Sequence, residues 1–219
     1  MSYQNIYQAR SALVAACNEM TQLGINQGTS GNISLRYQDI MLISPSGVPY
    51  DEMSPGDIVE MTMEGEWTAS GGMVPSSEWR FHLDILRNKP NVNAVVHAHP
   101  TYCTTLAILH KPIPAIHYMI AVGGGNSIPC APYATYGTAE LSEYALIALR
   151  GHHACLLANH GMIATGNSLK KAMWTALEVE VLARQYHACL QVGEPVLLDD
   201  EEIDRVLKKW GEYGLREGQ

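Results

Sequence analysis

Hydrophobic residues along this chain recur with two periods, and the order in which those periods alternate predicts a layered fold. Ala9, Leu13, Ala16 and Met20 form the apolar stripe of a helix over 3–23, with Gly24 as its stop. Short apolar runs then predict strands over 33–36, 41–44 and 58–63, with turns at 44–47 and around Gly65. A helix opens at Pro75-Ser76-Ser77-Glu78, with Ser76 or Ser77 as its N-cap. It runs through Trp79, Phe81, Leu83 and Leu86 to about Asn88, where Lys89-Pro90 ends it. Next come a strand over 94–99, a helix over 101–110, extended segments over 113–122 and 128–131, and a helix over 138–150 capped by Thr138. A buried strand over 154–158 is followed by a partner at Ile163-Ala164 and a long helix from Ser168 to about Leu190. The last helix starts at Asp199 and reaches about Tyr213. No linker divides the chain, so 1–219 reads as a single α/β domain, three α/β/α layers around a mixed, mainly antiparallel sheet.

Composition removes several function classes. Hydrophobic residues make up 47% and charged ones 16%, enough for a sizeable core and too ordered a composition for a disordered chain. The formal charge of −8 argues against broad binding to nucleic acid or anionic membrane, both of which need a basic face. A small phosphate is still allowed, since backbone amides and hydroxyls can hold one. Five scattered cysteines without C-x-x-C spacing fit a reducing compartment, and no signal peptide or membrane span is evident, so the expectation is a cytoplasmic enzyme.

The candidate chemistry centres on Asn93-Ala-Val-Val-His-Ala-His-Pro100. Side chains alternate along a strand, so His97 and His99 emerge on one face at its C-terminal end. Two imidazoles on one face are half of a tetrahedral metal site. Taken alone, the pair equally fits one core histidine and one solvent-facing histidine. The run Ala154-Cys-Leu-Leu-Ala158 repeats the arrangement and ends in Asn159-His160-Gly161, which offers a third imidazole. Three protein ligands with an open position suit a catalytic rather than a structural zinc site. Glu78 could border that position and take a proton from a carbon next to the metal, or it could only complement a helix dipole. His82, one helical turn on, is either a rival ligand or a polar residue tucked under its helix. Asn32, Ser46-Gly47 and Ser76-Ser77 lie in small, hydroxyl-rich turns that could converge on a phosphate. With no Walker-type lysine, that phosphate would be a handle on a substrate rather than a transferred group.

In order along nearly the whole chain, several stretches resemble one family. They are Asn26-Gln-Gly-Thr-Ser-Gly-Asn32, Pro75-Ser-Ser-Glu-Trp-Arg80, Ala94-Val-Val-His-Ala-His99, Ile116-His-Tyr-Met119, Gly124-Gly-Asn-Ser-Ile-Pro-Cys-Ala-Pro-Tyr-Ala-Thr135, Asn159-His-Gly161 and Tyr213-Gly-Leu-Arg216. On these the chain resembles the class II aldolase and adducin superfamily, and within it the fuculose-phosphate aldolase branch. The resemblance implies a cytoplasmic homotetramer with one Zn2+ per subunit on His97, His99 and His160, and Glu78 beside it as ligand and acid/base. It implies a phosphate pocket from Asn32, Ser46, Gly47, Ser76 and Ser77. It assigns Tyr118, from a neighbouring subunit, as the proton donor to the aldehyde oxygen, and Tyr213 as a residue closing over the site.

The implied reaction is reversible cleavage of a ketose 1-phosphate, foremost L-fuculose 1-phosphate, to dihydroxyacetone phosphate and L-lactaldehyde through a metal-stabilised enediolate. Sister activities on the same scaffold are a sugar-phosphate 4-epimerase, a 3-oxo-tetronate 4-phosphate decarboxylase and a methylthioribulose-phosphate dehydratase. A non-catalytic, adducin-like interaction domain is a more remote reading, since such domains lose metal ligands that this chain keeps. Departures from the branch are Ser30 and Ser46 in place of alanine and threonine, Asn159 in place of a histidine, Pro100, and Tyr136 in place of a phenylalanine on the aldehyde side. They bear on the aldehyde more than on the chemistry.

Overall fold

Helix α1 (Ile6–Gln22) begins where the Asn5 side chain accepts a hydrogen bond from the Gln8 N–H, and it buries Ala9, Leu13, Ala16, Cys17 and Met20. The structure is a computed structural model that describes residues 3–68 and 72–210. Its centre is a seven-stranded sheet of β1 (Asn32–Tyr37), β2 (Ile40–Ile43), β3 (Val59–Thr62), β4 (Ala94–Ala98), β5 (Cys130–Ala131), β6 (Ala154–Leu157) and β7 (Gly161–Gly166), in the order β3-β2-β1-β4-β7-β6-β5. All pairings are antiparallel except β5 with β6. This is the mixed, mainly antiparallel sheet that the run of short strands implied.

Five more helices follow: α2 (Trp79–Asn88), α3 (Thr101–Ile108), α4 (Ala139–Ala148), α5 (Leu169–Val192) and α6 (Asp200–Trp210). Alternation along the strands separates two cores. Ile33, Leu35, Val96 and Ala98 pack with Leu13 of α1, Leu106 of α3 and Val179 of α5. Val95 and Ile163 face the other way, against Phe81 of α2 and Leu141 of α4. Fully burying such side chains is worth roughly 1.5–3 kcal/mol each, so β4 is anchored from both faces. By the same parity His97 points to the α2–α4 side. Asn32 and Ser34 join it there, because they pair in register with His97 and Val95.

Several local expectations needed correction. Neither Ser76 nor Ser77 is the N-cap of α2; Glu78 occupies that position, and the Ser76 hydroxyl accepts from its N–H at 3.3 Å. The segment 113–122 is not a strand. Pro112 and Pro114 carry no N–H for a ladder, so only Ile113 bridges to Ile128, and Tyr118–Gly123 curls into a 3-10 helix. There the His117 ring accepts from the Met119 N–H, and Gly124, at φ 84°, ends the turn. Thr138 and Ser168 cap α4 and α5 as expected, and Asp199 accepts from the Glu202 N–H at 2.7 Å. The final helix is described to Trp210, so its expected extension and Tyr213 lie outside the described residues.

Candidate active site

Strand β4 delivers His97 into the sheet and His99 just past its end, and the β6–β7 turn delivers His160 beside them. That turn must be tight. Asn159 takes a left-handed φ of 53°, and its amide oxygen accepts from His110 at 2.6 Å. Gly161 lies so close to β4 that an added Cβ would sit 2.5 Å from the Ala98 carbonyl oxygen. The other side of the His99 segment is held by α5. Pro100 has no capping group for α3, and the Glu180 carboxylate accepts from the Tyr102 and Cys103 N–H groups instead, at 2.9 and 2.8 Å. The three rings meet at centroid separations of 4.8, 4.8 and 4.9 Å.

Glu78, at the head of α2, completes the group. Its Oε2 is 3.0 Å from His97 Nε2, and its Oε1 is 3.2 Å from His160 Nε2. One ligand atom from each of Glu78, His97, His99 and His160 falls within 4.8 Å of all the others. His97 Nδ1 lies 2.9 Å from the Met162 carbonyl oxygen, which can only accept, so Nδ1 carries the proton and Nε2 presents a lone pair. That lone pair faces His99 Nε2 at 2.9 Å, and the buried Glu78 Oε1 makes no hydrogen bond. Lone pairs and a carboxylate oxygen converging within 4.8 Å of one another fit a cation between them. Burial pushes the Glu78 carboxyl up, but His97 and His160, when they also carry protons on Nε2, outweigh it and hold the group well below the usual carboxylate range. Burial takes His99 down to about 3, helped by the two other imidazoles, so it stays neutral and able to ligate.

His82 is not part of this group. It is fully buried under α2, between Ser34 Oγ at 2.8 Å and Asn32 Oδ1 at 2.5 Å, and burial brings it down to about 3. The Asn32 amide nitrogen in turn lies 3.2 Å from Glu78 Oε2.

Outside the imidazoles opens a cleft of about 360 Å³, at the small end of the ~300–1,000 Å³ typical of small-molecule sites. Asn32, Ser46, Gly47, Ser76 and Ser77 all line it, together with Glu78, His99 and His160. The two serine turns are zipped together: Pro45 bridges Pro75, the Ser46 N–H donates to Val74 and the Ser76 N–H to Ser44. Gly47 makes its turn at φ 73°, where a side chain would be strained. Among the described residues no lysine or arginine lines the cleft, so an anion held by them would rest on neutral donors and the start of α2. Tyr118 does not line it; it is 45% exposed and stacks on His117. Thr29 and Tyr133 do line it, and reading the sequence did not single them out. Thr29 lies within the loop quoted for its glycines and amides, but Tyr133 carries no local signal.

Residues 11–187 match the profile of the class II aldolase and adducin N-terminal domain. The chain belongs to the class II aldolase and adducin family. An L-fuculose phosphate aldolase of Escherichia coli O6:H1 is 54% identical over 205 residues, covering 93% of this chain and 94% of that protein. Equally similar, at 54% over 205 residues, is a 5-methylthioribulose-1-phosphate/5-deoxyribulose-1-phosphate aldolase of Rhodospirillum rubrum, with 94% of this chain and 92% of that one covered. A solved L-fuculose 1-phosphate aldolase superposes with a TM-score of 0.90 at 38% identity, over 96% of this chain and 98% of its own. This class II aldolase is therefore a carbon–carbon lyase of a metal-dependent family, and its Glu78–His97–His99–His160 group can bind a metal. No helix among the described residues is long and apolar enough to cross a membrane.

Proposed function

We propose that this chain is a zinc-dependent, cytoplasmic aldolase that reversibly cleaves a ketose 1-phosphate, foremost L-fuculose 1-phosphate, to dihydroxyacetone phosphate and L-lactaldehyde. The observation that carries the reading is one cleft in which Glu78, His99 and His160 of the three-histidine, one-glutamate group adjoin a wall of neutral hydroxyl and amide groups. The phosphate rests on Asn32, Ser46, Gly47, Ser76 and Ser77, which places the adjoining carbons against the imidazoles. His97, His99 and His160, with Glu78 beside them, would hold the zinc ion, whose chemistry there would be Lewis-acid polarisation of the substrate. In cleavage, Tyr118 of a neighbouring subunit takes the proton of the hydroxyl that becomes the aldehyde, and the carbon–carbon bond breaks. Glu78 returns a proton to the carbon left behind; in synthesis it removes that proton and Tyr118 protonates the new alkoxide. An exposed Tyr118 outside its own chain's cleft supports its service to a neighbour in a homotetramer.

The Rhodospirillum relative favours a second reading of the substrate on the same chemistry: 5-methylthioribulose 1-phosphate or 5-deoxyribulose 1-phosphate. These ketose phosphates share the phosphate-bearing end and differ in the aldehyde released. A panel of the three, assayed for release of dihydroxyacetone phosphate with and without chelator, decides. L-Fuculose 1-phosphate should give the highest kcat/KM, be silenced by chelation and recover with zinc. Full activity in excess chelator with no bound metal removes the zinc mechanism. A higher kcat/KM for a pentulose phosphate transfers the assignment to the second reading.

A further inference from the structure

Beneath α2 a chain of hydrogen bonds runs from the sheet to the carboxylate at the centre of the site. Its members are Ser34, His82, Asn32 and Glu78, at heavy-atom separations of 2.8, 2.5 and 3.2 Å. All four are 5% exposed or less. The chain can carry its protons in only one direction. An ionised carboxylate only accepts, so the Asn32 amide must turn its nitrogen to Glu78 and its oxygen to His82. That oxygen in turn requires a proton on His82 Nε2. A neutral imidazole with its proton on Nε2 accepts at Nδ1, and the Ser34 hydroxyl donates there. Register sets the geometry: Asn32 and Ser34 are two apart on β1, both on the α2 face, and His82 lies one turn into the helix that Glu78 heads.

We propose that His82 is a positioning residue for the aldolase reaction, fixing the Asn32 amide so that its N–H holds Glu78 Oε2 in place. Asn32 thereby does more than line the phosphate pocket. Without the His82 donor the amide is free to rotate, and its oxygen would then meet a carboxylate, which repels it. Glu78 would lose the contact that sets its angle to the substrate carbon, while the imidazoles and serine turns stay where they are. The cost therefore falls on the chemical step rather than on binding. The inference rests on the aldolase reading.

The test compares wild type, His82→Asn, His82→Gln, Asn32→Ala and the double variant His82→Asn/Asn32→Ala. Asparagine can keep the Nδ1-side bond to Ser34 but cannot reach Asn32, whereas glutamine can place an N–H near the Nε2 position. His82→Asn should lower kcat by roughly 10–100-fold, with KM and bound metal per chain nearly unchanged. His82→Gln should recover most of that loss, and the double variant should be no worse than Asn32→Ala alone. Equal damage from both His82 substitutions, additive losses in the double variant, or metal lost in step with activity would each overturn the proposal. If wild type cleaves no ketose phosphate, the aldolase reading fails separately. The relay is then judged on melting temperatures of the metal-free proteins: non-additive shifts for His82→Asn and Asn32→Ala support it, and additive shifts overturn it.

Discussion

Beneath the cleft His97 is fully buried, and on its floor Glu78 is 5% exposed, each fixed by named partners in the sheet or in α2; at its rim, Tyr133 and Tyr136 keep 58% and 64% of their surface in solvent. The floor is built from strand ends, where register and parity leave little freedom, and its groups are charged or ready to ligate. The rim is built from a loop between β5 and α4 and presents apolar rings with hydroxyl tips. A rigid floor suits a reaction that must place a proton within an ångström. An exposed rim suits the choice of aldehyde, and two relatives of equal identity bear names for different substrates.

The comparison is tested most severely by removing the floor. His97→Ala deletes an imidazole whose Nδ1 is locked on Met162, and the remaining donors can no longer surround a cation. Metal content should fall well below one per chain. Cleavage should drop by at least roughly 10³-fold, the several kcal/mol that a Lewis acid supplies. Elemental analysis and initial rates check both. Glu78→Gln should leave the three imidazoles and most of the metal, yet lower kcat by roughly 10²–10⁴-fold, as loss of a general acid/base does. Metal lost together with activity in Glu78→Gln would mean that the carboxylate acts chiefly as a ligand.

The floor should also show itself in stability at low pH. His82 titrates near 6.5 when unfolded and near 3 when buried, so between those values the unfolded chain binds the extra proton. Its contribution to stability is complete above pH 6.5 and is lost as the pH falls toward 3, at up to about 1.4 kcal/mol per pH unit. Metal-free His82→Gln should have a flatter dependence over that window. Urea titrations at several pH values read the slope directly, and an unchanged slope would show that His82 does not titrate with unfolding. The serine turns, proposed above to hold the phosphate, line the same cleft. Ser77→Ala removes one neutral donor, so KM for the ketose phosphate should rise about tenfold with kcat less affected. Steady-state kinetics separates the two.

Legibility in the sequence follows the same division. His97 and His99 could be paired because a strand's two-residue period is strict, and His160 followed because its strand repeats the grammar. The sheet class followed from short runs joined by turns. Harder to see were effects that depend on distant chain. The role of His82 needs β1 to lie under α2, which no local pattern near residue 82 announces. Capping of α3 by Glu180, 77 and 78 residues along from the N–H groups it accepts, is equally invisible. The 113–122 segment misled because its apolar run suits a strand, while its prolines and the His117 cap favour a turn. Tyr133 went unnoticed because an exposed aromatic in a loop gains meaning only once a cleft is beside it.

The rim should yield the smallest effect and the sharpest test of the contrast. Tyr136 stands where the fuculose-phosphate branch is expected to have phenylalanine, and its ring lines the outer part of the cleft. Tyr136→Phe removes only a hydroxyl from a solvent-facing ring, so folding, metal content and phosphate binding should not change. If the far end of the aldehyde meets this rim, the ratio of kcat/KM between L-lactaldehyde and a methylthio-bearing aldehyde should move about two- to tenfold, the net worth of one hydrogen bond. Exchange of the hydroxymethyl-carbon proton of dihydroxyacetone phosphate with solvent, measured with no aldehyde present, isolates the proton transfer proposed for Glu78. That exchange should be the same in Tyr136→Phe and wild type. A variant that slows exchange as much as it shifts aldehyde choice would mean that the rim reaches the proton-transfer step, and the division between a floor that reacts and a rim that selects would fail.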